Sequence, residues 1–425
     1  MANTYLTRTP SSASNRRTFT ISTWVKLGNL GGNTTSIFSA WYADSTVGHF
    51  VFRGSSDKFG WSQWSNDSYS TRLFRDVNGW YHVVLAVDTT QATASNRIKL
   101  YVNGVQETSF SVGAVYPSQN EELPVNNNNR QTVGSNYYSS NANFFDGSMS
   151  HFHLIDGTAY DASYFGETDA TTGEWKIKTS PSVTYGTNGF FILKDGNSVT
   201  DQSGNSNNFT VGGGTLTKTE DSPSNVFATG NALSKNSNVV LSSGNLNIRN
   251  DVSGDACCLG TIGSGSGKYY WENYTYGGGN TGVGIVLASV DGSSSSAFVS
   301  ARVMYNRNGE VYKEGAGGGS TTTGYTYGDT NIIGIALDTE NGNIKFYKNG
   351  TLVNTTTDSA LLASNNTWIP LWSVNNGGEY RANFGNGYFG TTAVSSAGTN
   401  ASGIGIFEFN VPTGYTALST KGLNT

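Results

Sequence analysis

The chain has 425 residues, a formal net charge of −5 and only 13% charged residues, with 54 glycines. Its 23 Tyr, 21 Phe and 9 Trp exclude a disordered, charge-extended polymer, and the length suggests two or three domains. No cluster of Lys and Arg exists that could displace counterions from a phosphate backbone, so nucleic acid is excluded as a partner.

The N-terminal stretch "MANTYLTRTPSSASNRRTFTIS" holds no apolar run long enough for a secretory signal, and nowhere do about 18 apolar residues follow one another. Synthesis in the cytosol without membrane insertion is expected. Alternating patterns rich in Tyr, Val, Ile, Phe and Thr dominate, and no long stretch has a helical period, which predicts an all-β protein. Strands are expected at "FTISTWVKL" (19–27), "GWYHVVLAVD" (79–88) and "RIKLYVNG" (97–104). In the last, Ile98, Leu100 and Val102 share one face, and Asn103-Gly104 suits the positive φ angles of a tight hairpin.

Between the first two strands, "FGWSQWSNDSY" sets Trp61, Trp64 and Tyr69 among Ser, Gln and Asn. Rings beside amides and hydroxyls are what a sugar needs, because its apolar face stacks while its hydroxyls find partners. The competing reading is that these rings cap the core. His151 and His153 in "SHFHL" alternate on one strand, the minimum for two metal ligands, but no third ligand is apparent and a packing role is preferred. Asp195, Asn197, Asp201, Ser203 and Asn205 offer hard oxygens around "DQSGNSNNFT" (201–210). Calcium is one reading of that stretch, but it lacks the EF-hand register and its closing Glu. Asx-turn chemistry is the preferred reading, with no metal site and no cofactor.

A Gly-, Ser-, Thr- and Asn-rich segment at 216–238 predicts a linker between a domain at 1–215 and another at 239–425. The hairpin of the first half returns in the second: "AVDTTQATASNRIKLYVNG" (86–104) is answered by "ALDTENGNIKFYKNG" (336–350). This repeat predicts two antiparallel β-sandwich, jelly-roll-like domains in tandem. The adjacent Cys257 and Cys258 can form neither a disulfide framework nor a paired zinc motif and are read as buried free thiols.

Catalytic signals are absent. A glycosidase needs two carboxylates around the scissile bond, whereas Glu121 and Glu122 are adjacent and Glu310 and Glu314 lie beside turns. No nucleophile elbow is present, and the glycine-rich "YTYGGGNTG" and "EGAGGGSTTTG" neither open a helix nor carry the Lys of a phosphate loop.

The run from "YLTRTPSSASNRRTFTISTWVK" through "GWYHVVLAVD" and "KLYVNG" to "DGSMSHFHLIDGTAYDASYFGE" resembles laminin-G-like, concanavalin-A-like jelly rolls. It is most similar to the version found in marine bacteriophage virion proteins, where segments like "YGTNGFFILKDGNSVTDQSGNSNNFTVGG" and "DSPSNVFATGNAL" follow. The second half resembles a SPRY domain at "GKYYWENYTYGGGNTGVGI", "GDTNIIGIALDTENGNIKFYKNG", "WIPLWS" and "ANFGN", and the tail "FEFNVPTGYTALSTKGLNT" again resembles those phage proteins. Tyr276, Asn280, Tyr325 and Tyr327 lie by the loops that SPRY domains often use for recognition.

The resemblance implies a non-enzymatic virion surface protein, assembled in the host cytoplasm and displayed as a fibre, knob or capsid decoration. No coiled-coil or collagen-like stem is apparent, which favours a short appendage. Its expected partners are other capsid or tail proteins and host-surface polysaccharide, with self-association left open. The alternative is a structural protein that pins capsid or tail subunits and has no glycan ligand.

Overall fold

A computed structural model describes residues 3–40, 49–54, 56–63, 66–111, 113–137, 140–194, 198–279, 281–293, 303–313, 319–362 and 366–425; of 49, 50, 52, 53 and 63 it describes the backbone alone. The described residues form strands, turns and short 3-10 segments, with no α-helix. They divide into two units, Met1–Lys218 with Ser222–Ser224, and Thr219–Asp221 with Asn225–Thr425.

The first unit packs two antiparallel sheets over one core. One sheet has seven strands, in the order Thr210–Gly213, Tyr5–Arg8, Gln131–Val133, Thr35–Ala40, His49–Arg53, Phe59–Gln63 and Asn66–Tyr69. The other has six: Phe190–Ile192, Gly147–Asp156, Thr18–Leu27, Trp80–Asp88, Ile98–Val102 and Val105–Gln106. Alternation decides which side chains enter the core, so that Leu6, Val133 and Phe38 face inward from three neighbouring strands while Thr7, Thr132 and Ser39 face outward. The stretch 201–210 connects the edge strand of one sheet to the edge strand of the other.

The second unit repeats the plan. Its seven-stranded sheet runs Gly230–Lys235, Ala256–Gly260, Trp368–Val374, Gly282–Leu287, Val303–Asn306, Glu310–Lys313 and Gly319–Thr322. Its eight-stranded sheet runs Val239–Ser242, Asn247–Asn250, Gly378–Asn383, Lys268–Tyr276, Ile332–Asp338, Asn343–Lys348 and Thr351–Thr357, with Thr416–Ala417 added in parallel beside Lys268–Tyr276. Residues 225–238 of the expected linker belong to this unit. Phe227 is buried in its core, and the last residues of the chain bond beside it: Ala228 N donates to Leu418 O and Thr420 N to Val226 O. Gly230–Lys235 is a sheet strand because it pairs with Ala256–Gly260.

The repeated hairpin is built the same way twice. Asn103 (φ 49°) and Gly104 (φ 79°) turn one hairpin, and Asn349 (φ 47°) and Gly350 (φ 79°) turn the other. Positive φ at both positions matches the right-handed twist of the flanking strands. The Asn103 Oδ1 also accepts the His82 N–H at 2.7 Å, as the Asn349 Oδ1 accepts that of Ile332 at 2.8 Å. Each Asn therefore fastens its turn to the preceding strand.

Candidate functional site

The aromatic trio expected in the first domain does not assemble. Trp61 is 0% exposed, its Nε1 donates to Val115 O at 3.0 Å, and its ring meets Phe110 edge-on at 5.0 Å. Its partner across the sheet is Ser68, so the neighbouring Tyr69 lies on the opposite face, where its ring covers Gly54 and its hydroxyl donates to Asp67 at 2.8 Å. Burial and the Asp67 carboxylate push that hydroxyl up to about 12. Trp61 is thus a core residue and not a stacking platform, and Trp64 lies outside the described residues. The cross-strand register, with its period of two along each strand, separates the two rings.

In the second domain the four expected residues divide. Tyr327 is only 4% exposed, and its hydroxyl donates to Tyr305 O at 2.8 Å and lies 2.9 Å from that of Tyr380. It belongs to an internal tyrosine network, which removes it from the site. Asn280 lies outside the described residues. Tyr276 and Tyr325 are 50% and 52% exposed. Arg307 ties their loops together, donating to Gly277 O, to Gly278 O at 3.1 Å and to Asp329 at 2.8 Å.

Tyr276 also belongs to a cluster that sequence reading missed. The Arg381 guanidinium lies 5.4 Å from the Tyr276 ring centroid and 5.8 Å from that of Tyr274, and its Nε donates to Glu379 at 2.5 Å. Alternation within "YTY" places Tyr274 and Tyr276 on one face, which the sequence does reveal. Their meeting with Arg381 and Glu379 depends on the register Tyr274↔Arg381 and Tyr276↔Glu379, across strands about 105 residues apart. The result is an exposed ring backed by a neutralised cation, a surface suited to stacking an uncharged ligand.

Asp201 anchors the stretch 201–210. Its carboxylate accepts from Phe191 N, Ser203 N, Ser203 Oγ and Asn207 N, all between 2.8 and 2.9 Å. Asn205 and Asn207 each donate to two backbone carbonyls of 186–189. These donors take up the oxygens that a cation would use; Asp195 and Asn197 lie outside the described residues. His153 bonds the Tyr185 hydroxyl at 2.9 Å, His151 the Ser150 hydroxyl at 2.8 Å, and both rings pack on Phe191. Among the described residues no three His, Cys, Asp or Glu side chains come together in a metal-binding group.

Glu272 is a buried carboxyl that sequence reading also passed over. It accepts from Glu408 N and Phe409 N at 2.8 and 2.9 Å and from the Tyr270 hydroxyl at 3.1 Å. Burial pushes its pKa up to about 7. Raised carboxyls recur in active sites, but this one is fully enclosed by the C-terminal segment, and its neighbours are donors that hold that segment in place.

Two family models match the chain. Residues 2–163 match the concanavalin A-like lectin/glucanases superfamily, and residues 268–387 match the SPRY domain. The chain thus carries a concanavalin A-like domain followed by a SPRY domain. Domains of these kinds typically bind rather than catalyse. Among solved structures, the SPRY domain of human HERC1 is 20% identical over 34% of this chain and 91% of its own, with a TM-score of 0.28. The TRIM65 PSpry domain is 13% identical over 37% and 91%, with a TM-score of 0.29. No curated protein matches the chain. Both units extend past the matched residues: Phe190–Ile192 and Thr210–Gly213 complete the first, and Gly230–Lys235, Ala256–Gly260 and Thr416–Ala417 complete the second. No helix among the described residues is long and apolar enough to cross a membrane.

Proposed function

We propose that this is a non-enzymatic adhesin displayed on a bacteriophage virion, which uses its SPRY domain to bind host-surface glycans without a cofactor. The observation that carries the reading is the exposed Tyr276 ring stacked on Arg381, whose charge Glu379 balances. Such a surface takes the apolar face of a neutral sugar, while the amides and hydroxyls of the surrounding loops take its hydroxyl groups. The virion setting rests on the ordered resemblance of segments 185–213, 221–233 and 407–425 to phage proteins, and its other partners are capsid or tail subunits. One weak site suffices when many copies share a particle, because each bound copy raises the effective concentration of the next.

The test is binding of the purified protein to host cells and to a glycan array, alongside Tyr276→Ala. Saturable binding to a defined sugar that the substitution removes, with the melting temperature unchanged, supports the adhesin. A folded protein that binds no cell and no sugar, but binds a capsid or tail subunit tightly, replaces it with the structural reading.

A further inference from the structure

We propose that the concanavalin A-like domain holds a second saccharide site, centred on Arg130 and selective for sugars that carry an oxyanion. This rests on the glycan-binding reading above and assigns it a further ligand class.

The site lies on the outer face of the seven-stranded sheet. Leu6 and Val133 point into the core, so Tyr5 and Thr7 on one strand, and Arg130 just before the next, belong to the opposite face. The Arg130 guanidinium lies 4.1 Å from the Tyr137 ring centroid and 5.7 Å from that of Tyr5, and Phe144 packs 6.0 Å from Tyr5. Its hydrogen bonds go to two hydroxyls, Thr7 Oγ1 at 3.1 Å and Tyr5 OH at 3.5 Å.

That partner set distinguishes Arg130 from every other arginine whose side chain is described. Arg8 is held by a backbone carbonyl and a side-chain amide oxygen, and Arg97 by three backbone carbonyls. The rest each pair with a carboxylate within 4.0 Å. Arg130 alone among them is half-buried between rings with only hydroxyls for company. A hydroxyl supplies no counter-charge, and the rings displace water that would otherwise solvate the cation. An incoming oxyanion therefore meets a guanidinium already partly desolvated, whose planar fork can engage two oxygens at once. Tyr5 and Phe144 offer the apolar surface that a pyranose ring needs beside it. Arg381 has the same aromatic company, but Glu379 has taken the place an anion would occupy.

Carboxylated and sulfated sugars share the required chemistry, and calorimetric titration of the full-length protein separates them. The probes are oligogalacturonate, the same oligosaccharide with its carboxyls reduced to alcohols, and a sulfated galactan oligosaccharide. At least one anionic probe is expected to bind about tenfold or more tightly than the reduced one, and the tighter of the two identifies the oxyanion. Arg130→Gln removes that advantage; Arg130→Lys, which keeps the charge but not the fork, retains part of it; Tyr276→Ala leaves it intact. Equal binding of anionic and reduced probes overturns the site, as does an advantage that survives in Arg130→Gln or disappears in Tyr276→Ala. If only the reduced probe binds, and binding requires Tyr276, the adhesin stands and the Arg130 site falls. If no probe binds the folded protein and no sugar binds on the array, both fall. Should Arg130→Gln lower the melting temperature, the Lys variant supplies the comparison.

Discussion

The Glu272 carboxyl accepts the backbone N–H of Phe409 at 2.9 Å, across 137 positions of sequence, and so joins the middle strand of the eight-stranded sheet to the C-terminal segment that covers it. The same carboxyl takes Glu408 N, and the covering Phe407 ring meets Tyr270 edge-on at 5.2 Å. Glu272→Ala strands two buried N–H groups and is expected to destabilise the second unit by about 2–4 kcal/mol. Urea denaturation, read by the melting of that unit, checks it.

The same group makes the second unit pH-dependent. Its folded pKa, about 7, lies above the ordinary value of 4.5. The stability it contributes is therefore fully present below about pH 4.5 and is lost as pH rises through about 7. His82 acts with the opposite sign in the first unit. Burial depresses its pKa to about 3, so its contribution is present above about pH 6.5 and is lost as pH falls toward 3. His153, also held neutral by burial, adds to it. Acidification from pH 7 to pH 5 is expected to speed hydrogen exchange in the core strands of the first unit relative to those of the second. Peptide-resolved exchange at the two pH values reads the contrast, and Glu272→Gln should remove the second unit's share.

Trp61→Ala is expected to cost about 3–5 kcal/mol of stability, because it empties a core site and strands the Val115 carbonyl. Tyr327→Phe leaves the Tyr380 hydroxyl and Tyr305 O short of a partner and should cost about 1–2 kcal/mol. Denaturant midpoints of the two variants check both. Sugar binding by whatever fraction remains folded should be unchanged.

Asp201→Ala removes the acceptor of four donors, one on the edge strand Phe190–Ile192 and three within the loop that follows it. It is expected to lower first-unit stability by about 2–3 kcal/mol. Since the carboxylate is already saturated, added calcium or EDTA is expected to leave the melting temperature of the unsubstituted protein unchanged. Calorimetric scans with and without each additive are sufficient.

Local patterns alone determined a good part of this protein. Alternation in segments such as 97–104 dictates strand and core face, Asn-Gly dictates the two hairpins, and the repetition of one hairpin indicates two sandwiches. Each depends on residues within a few positions of one another, where stereochemistry leaves little choice. Tyr276 stands out in the sequence through the SPRY resemblance, as a ring beside a loop that such domains use for recognition. The tertiary structure decided the rest. Trp61 and Tyr69 look alike in sequence, but register sends one into the core and the other to the opposite face. Tyr325 and Tyr327 lie in a loop outside any strand, and only the path of that loop buries Tyr327 against Tyr305 and Tyr380 while leaving Tyr325 exposed. Arg381 reaches Tyr276, Arg130 reaches Tyr5, and Glu272 reaches Phe409 only because distant strands and segments are brought side by side. Such pairings are set by which strands neighbour one another in a sheet, an outcome of burying the whole core that no short stretch of sequence encodes.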